Sequence, residues 1–126
     1  MKLEITHNGK LGEVQSVFNN AFPYLRIEFL QNKQQQPRGQ NGSNNKFFDA
    51  GLLFGDINQN MKDYSIELQD STTISELESI FTNKIGLPAL IFRKSGNIWM
   101  ETTITANWTL VQQNQHAKEI SAGMLI

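Results

Sequence analysis

Four charged side chains have the types and the spacing to build a binding site. Glu4, Arg26, Glu28 and Glu67 each stand between two apolar residues, so each would project from the polar face of a half-buried strand. Carboxylates that are brought close together repel one another, raise a pKa or hold a cation. The sequence therefore predicts a ligand or metal face at these positions. The alternative is a solvated sheet face whose acids are neutralised by Arg26 or Lys2.

Five aromatic residues form a second candidate site. Phe47, Phe48 and Phe54 lie close together in the sequence, and Trp99 and Trp108 flank a later hairpin. Exposed aromatic residues are typical of protein interfaces, whereas buried clusters of this kind belong to the core beneath a loop. These five residues are a predicted partner surface, with satellite core as the alternative.

Familiar catalytic and cofactor motifs do not occur in the sequence. His7 and His116 are the two histidines, neither has a metal ligand at the usual spacing, and there is no cysteine. No serine or threonine lies in a nucleophile elbow, and the glycines fit neither a phosphate loop nor a dinucleotide fingerprint. We therefore expect no cofactor and favour a non-catalytic protein.

The overall charge and hydropathy narrow the classes of partner. A formal net charge of -1 provides no large field that would attract nucleic acid or anionic lipid. The sequence has no apolar run long enough to span a membrane, and Met1–Asn8 alternates polar with apolar residues, unlike a secretory signal. With no cysteine, these features predict a cytoplasmic protein that binds neither nucleic acid nor membrane.

An internal duplication predicts the elements that position the candidate residues. When the sequence is shifted by half its length, Leu3–Ile5 falls on Ile66–Leu68, and Lys10–Phe29 falls on Thr73–Phe92 without a gap. We expect one domain over residues 1–126, with repeat halves of about 1–63 and 64–126. The identical pairs are Glu13/Glu76, Ser16/Ser79, Phe18/Phe81, Asn20/Asn83 and Phe29/Phe92.

Each half is predicted to contain one amphipathic helix between two strands. Apolar residues after Lys10 and after Thr73 recur with the spacing of one helix face. Thr73 with Glu76 forms a capping-box pattern, and Gly86 suits a left-handed helix end. The segments before and after each helix alternate with period two or are continuously apolar, and a tight turn at Gly96 indicates a final hairpin.

The predicted fold class is α+β. The order of elements is that of an internally duplicated βαβ unit, a ferredoxin-like βαββαβ arrangement with an added C-terminal hairpin strand and a short helix. Right-handed crossovers would place both helices on one face of a single sheet. The predicted core consists of Leu3, Ile5, Val14, Val17, Phe18, Phe22, Ile27, Phe29, Ile66, Leu68, Leu77, Ile80, Phe81 and Ile85.

Two segments have the composition of connecting or pairing elements. Gln31–Lys46 contains no apolar side chain and is rich in amides, which predicts a flexible loop. Ile120–Ile126 is an apolar tail that could pair with an open sheet edge of its own chain or of a second copy. The predicted partner is therefore an unidentified protein or another copy of this chain.

Two stretches resemble known families. Thr73-Ile74, the helix up to Gly86-Leu87-Pro88, Leu90-Ile91-Phe92 and Thr109-Leu110 follow one another as in a ubiquitin-like β-grasp, which is the alternative fold. A β-grasp has a hairpin before its helix, where this sequence has the single strand Tyr64–Gln69. Ile91–Thr103, followed by Trp108-Thr109-Leu110, resembles a family of small uncharacterised bacterial α+β proteins, and that resemblance implies no activity.

Two functional hypotheses follow from these observations. The first is a non-catalytic binding or protein-interaction module that uses its aromatic residues and sheet edges. The second is a small enzyme or a metal- or ligand-binding domain that uses the acidic face at Glu4, Glu28 and Glu67. A third role, recognition through the amide-rich loop 31–46, is also open.

Overall fold

The computed structural model of the chain describes residues 1–31 and 46–124, which form five β-strands and four α-helices. The strands are β1 (Lys2–Ile5), β2 (Leu25–Phe29), β3 (Tyr64–Glu67), β4 (Ala89–Ser95) and β5 (Ile98–Glu101). The helices are α1 (Leu11–Ala21), α2 (Phe54–Ile57), α3 (Ile74–Ile80), which continues as a π-helical turn over Phe81–Ile85, and α4 (Leu110–Met124). Within these ranges no helix is long and apolar enough to cross a lipid bilayer.

The strands form two antiparallel sheets. β1 pairs with β3, while β4 lies between β2 and β5. The α+β class and the edge position of the last strand are as predicted. The strand order differs, because β2 and β4 would lie on opposite edges of a ferredoxin-like sheet and instead pair with each other. Period-two alternation specifies the buried face of a strand and leaves its neighbour open.

In both sheets a strand of the first half pairs antiparallel with the strand of the second half that aligns with it. Leu3 lies directly opposite Ile66, which is its own equivalent under the half-length shift. In the β2–β4 pair the aligned residues Ile27 and Leu90 are one position out of register, because Ile27 lies opposite Ile91 and Leu90 lies opposite Glu28. Corresponding strands of the two halves are therefore neighbours in both sheets.

Main-chain hydrogen bonds of the first half recur in the second. Three backbone N–H groups around the start of α1 and α2 have counterparts around the start of α3 and α4, with lengths between 2.8 and 3.0 Å. The matched bonds, with the donor first, are Leu11–Leu52 and Ile74–Trp108, Gly12–Ala50 and Ser75–Ala106, and Phe54–Gly9 and Leu110–Thr72. The start of α4 is therefore hydrogen-bonded beside the start of α3 in the same way as the start of α2 beside the start of α1.

The helix ends follow local sequence signals. The Thr73 Oγ1 accepts a hydrogen bond from the Glu76 N–H at 3.1 Å, so the predicted capping box begins α3. Gly86 ends the π-helical turn with a φ of 78°, a conformation that glycine adopts without strain. α4 is longer than the predicted short helix. It also includes the described part of the tail beginning at Ile120, which is therefore helical and does not form an added strand.

A single apolar core lies between the sheets and the helices. Eleven of the predicted core residues are buried, and Phe22 and Ile80 pack against them partly buried. The prediction that Val17 belongs to the core is wrong, since its side chain is 45% exposed. At 100° per residue, Val17 points about 90° away from the centre of the face that buries Val14 and Phe18.

The predicted loop Gln31–Lys46 lies outside the described residues between its first and last positions. Its two ends are held together, because the Gln31 N–H donates to the Lys46 carbonyl at 3.0 Å. Leu30 and Phe47 also form an antiparallel bridge. These contacts place Phe47 beside the end of β2.

Candidate functional site

Glu4 and Glu67 lie on neighbouring strands, as predicted, in the two-stranded sheet. The Ser65 hydroxyl donates to Glu4 Oε1 at 2.9 Å, and Glu67 Oε2 lies 3.5 Å from the Met1 amine. Both carboxylates are exposed to solvent, and each has a partner on the opposite strand or at its end. This arrangement is that of a solvated sheet face.

Arg26 and Glu28 lie in the other sheet, on β2. The Arg26 Nε donates to Glu28 Oε2 at 2.7 Å, and the Gln15 amide donates to Glu28 Oε1 at 3.2 Å. The four predicted charged residues therefore form two separate pairs, one in each sheet. Among residues 1–31 and 46–124, no group of three or more histidine, aspartate or glutamate side chains could hold a metal ion.

The five predicted aromatic residues divide between the core and the surface. The prediction that Phe54 belongs to a partner surface is wrong. Its side chain is 1% exposed and packs edge-on against Phe29, which leaves no face for a partner. Trp108 is half-buried and lies apart, with its ring 5.1 Å from the ring of His116. Phe47, Phe48 and Trp99 remain half-buried near Arg26.

Arg26, Glu28, Phe47, Phe92 and Trp99 surround a depression that we call the Arg26 groove. It comprises a small cavity of about 260 Å³ lined by these five residues and a larger one of about 800 Å³. Four of the five residues line both cavities, so the two are continuous. The larger cavity extends to polar side chains of α1 and to the segment that follows Phe47. Volumes of this size are typical of small-molecule and side-chain binding sites.

The sheet register explains why these residues meet. Arg26 is opposite Phe92 in the β2–β4 pairing, and Lys94 is opposite Trp99 in the β4–β5 pairing. Residues opposite each other in an antiparallel pair share a face, as do residues two apart on a strand. Arg26, Phe92 and Trp99 therefore project from the same outer face of the three-stranded sheet. Phe47 joins them with its ring 5.7 Å from that of Phe92, edge to face.

The Arg26 side chain is held in one orientation by two contacts. Its guanidinium carbon lies 5.8 Å from the centre of the Trp99 ring, a cation–π distance, and its Nε binds Glu28. Glu28 has both carboxylate oxygens hydrogen-bonded and is 14% exposed, whereas Arg26 is 51% exposed. The charged group of this ion pair that solvent can reach is consequently the guanidinium of Arg26.

Two amide side chains close the backbone edge beside the groove. The Gln15 Nε2 donates to the Ile27 carbonyl at 2.8 Å, and the Asn19 Nδ2 donates to the Leu25 carbonyl at 2.8 Å. These bonds satisfy carbonyls that a further strand would otherwise use, so β2 is not an open edge here. The sequence analysis missed both residues, although their spacing of four on the polar face of α1 was a usable signal.

Glu78 is the titratable group that the fold perturbs most clearly among the described residues. Burial raises the pKa of Glu78, the hydrogen bond that its carboxylate accepts from the Ile91 N–H lowers it, and the nearby charge of Glu101 raises it. The net direction is upward. This carboxyl lies outside the Arg26 groove and affects stability rather than binding there.

No protein-family model matches the chain, and no curated protein or solved structure is significantly similar to it. The resemblances to a β-grasp and to small bacterial α+β proteins therefore stay predictions.

Proposed function

We propose that this protein is a non-catalytic interaction module that binds a segment of a partner protein in the Arg26 groove. The observation that carries the proposal is the stacked, ion-paired Arg26 against Trp99, next to two further aromatic rings. Tryptophan and arginine dominate the residues that contribute most to protein interfaces. A rigid aromatic and arginine pair also loses little conformational entropy when a partner binds.

The state of Glu28 favours binding over catalysis. A general base needs an accessible oxygen that can take a proton from a substrate. Both Glu28 oxygens already accept hydrogen bonds, one from Arg26 and one from Gln15. The carboxylate therefore has a structural task, which is to orient Arg26.

We also infer that the chain derives from a duplicated βαβ unit, in which only the second half keeps a full hairpin and a long final helix. The support is the antiparallel pairing of aligned strands in both sheets and the three matched pairs of main-chain hydrogen bonds. The β1–β3 pair is also the central pair of the ferredoxin-like order. On this account the groove occurs once and is not repeated by the duplication, because its Trp99 lies on the hairpin strand β5, which only the second half has among the described residues.

A selection experiment tests the proposed binding function without assuming a ligand. Random linear peptides displayed on phage are selected against the full chain, and enriched peptides are titrated into the wild type, Trp99→Ala and Trp108→Ala by fluorescence anisotropy. We expect peptides that bind the wild type and Trp108→Ala equally and bind Trp99→Ala at least about tenfold more weakly. The absence of any enriched peptide, or equal binding to all three proteins, would refute the proposal.

A further inference from the structure

We propose that the Arg26 groove selects partner segments in which an acidic side chain stands next to an aromatic one. In this arrangement the Arg26 guanidinium binds the carboxylate, and the aromatic ring of the partner occupies the small cavity. The inference rests on the proposed binding function and specifies the chemistry of the partner.

The first step concerns the unused edge of the guanidinium. Glu28 engages the Nε of Arg26, and no other hydrogen bond to this side chain occurs among the described residues. The two terminal nitrogens of an arginine form a planar fork that matches the two oxygens of a carboxylate. Because Trp99 and Glu28 already fix the plane of the guanidinium, the fork is organised before a ligand arrives.

The second step concerns the small cavity beside that fork. Phe47, Phe92 and Trp99 supply its apolar walls, and its volume of about 260 Å³ accommodates one aromatic side chain. Phe47 and Phe92 meet edge to face, which leaves ring surface against which a further ring can stack or tilt. A residue adjacent to the acidic one in an extended segment would reach this cavity.

The third step concerns the charge that a ligand would meet. The two hydrogen bonds to Glu28 leave it little capacity to attract a cation, and Arg26 already covers a face of Trp99 that a ligand cation would need. Lys94, opposite Trp99, and Glu101, opposite Phe92, add one positive and one negative charge to the same face. Asp49 lines only the larger cavity, and its Oδ2 accepts a hydrogen bond from the Gly51 N–H at 3.2 Å. Of the two charged residues that line the small cavity, Arg26 is the one with hydrogen-bonding groups left for a ligand, and its guanidinium favours a carboxylate.

Defined tetrapeptides test this inference. The acidic probe is Ac-Ala-Glu-Phe-Ala-NH2, its neutral control replaces Glu with Gln, and its cationic control replaces Glu with Lys. Each is titrated into the full chain while amide chemical shifts are followed by NMR. Since a hydrogen bond to a charged group is worth more than a neutral one, we expect the acidic peptide to bind about tenfold more tightly than its glutamine control. The preference should decline in high salt.

Two variants assign the preference to the arginine fork. Arg26→Gln should remove the preference for the acidic peptide, and Arg26→Lys should keep only a part of it, because lysine retains the charge without the planar fork. The spectrum of each variant shows whether it is folded. A preference that persists in folded Arg26→Gln would overturn the inference.

Other outcomes distinguish a failure of this inference from a failure of the proposed binding function. Equal or tighter binding of the glutamine or lysine peptide would overturn the acidic preference, as would tighter binding of a peptide with a free C-terminal carboxylate after phenylalanine. If the phage selection yields Trp99-dependent peptides without acidic residues, the interaction module stands and the inference fails. If the chain sediments as a dimer that Trp99→Ala dissociates, a second copy occupies the groove and the inference likewise fails.

Discussion

Gln15 and Glu78 hold equivalent positions in the two halves, and each binds the backbone of the strand that follows its own helix. The Gln15 amide donates to the Ile27 carbonyl, whereas the Glu78 carboxylate accepts from the Ile91 N–H. One position thus carries a neutral donor in the first half and a partly buried acceptor in the second. Both hydrogen bonds fix a helix side chain to the strand that follows it, and the one made by Glu78 depends on pH because a carboxyl group can be protonated.

Glu78→Gln should therefore change how stability depends on pH. Because the folded-state pKa of Glu78 is raised, its protonation favours folding. This contribution is complete below the ordinary glutamate pKa and is lost as the pH rises through the raised pKa. A glutamine oxygen can still accept from Ile91, so the variant should gain stability relative to wild type between acidic and neutral pH. Urea unfolding of both proteins at acidic and at neutral pH measures this gain. A stability difference between variant and wild type that does not change with pH would contradict the prediction.

Gly55 lies against the ring of His7, where a Cβ atom would overlap the imidazole. The ring is anchored by a contact of 3.2 Å from its Nε2 to the Gln59 carbonyl, and the Gly55 N–H donates to the His7 carbonyl at 2.8 Å. Gly55→Ala should cost about 2 kcal/mol of unfolding free energy through overpacking. In a double-mutant cycle, His7→Ala should relieve most of that cost. Additive effects of the two substitutions would show that the His7 ring is not what excludes a side chain at position 55.

The valines of α1 provide a matched pair of core and surface substitutions. Val14 is 4% exposed and Val17 is 45% exposed, one helical turn away. Val14→Ala should lower the free energy of unfolding by about 2 kcal/mol, since it removes two buried methyl groups and leaves a cavity. Val17→Ala should change it by less than about 0.5 kcal/mol. Chemical denaturation of both variants checks the contrast, and equal losses would place the buried face of α1 elsewhere.

The helix starts differ in a way that a cap substitution can measure. Thr73 accepts from the Glu76 N–H through its side chain, whereas the equivalent Lys10 gives α1 no such side-chain bond. Thr73→Ala should cost about 1 kcal/mol, and Lys10→Ala should leave stability almost unchanged. Thermal unfolding of the two variants gives both values. A loss at Lys10 as large as the loss at Thr73 would contradict the assignment of the cap.

Much of the fold was predictable because it is encoded locally. The spacing of apolar residues predicted both main helices. Thr73 and Gly86 marked the start of α3 and the end of its π-helical turn, and Gly96 marked the turn between β4 and β5. The strand partners were not predictable in this way. The alternation around Ile27 indicates which side is buried, but the choice of β4 as its neighbour depends on how the two halves pack together.

The candidate site was predicted as two unrelated sets of residues. Arg26 and Glu28 belonged to an acidic face with Glu4 and Glu67, while Trp99 and Phe47 belonged to an aromatic surface. The pairing of β2 with β4 and β5 brings Arg26 and Trp99 together and leaves the other two acids in a different sheet. Long-range strand pairing produces this regrouping, and no local pattern in the sequence contains it.

The location of binding is the most direct test of the proposed function. The tightest phage-selected peptide is added to the full chain, and the changes in backbone amide and tryptophan indole signals are mapped by NMR. The account predicts the largest changes at Arg26, Glu28, Phe92 and the Trp99 indole, with little change at the Trp108 indole. Changes centred instead on Glu4 and Glu67, or on α4, would contradict it.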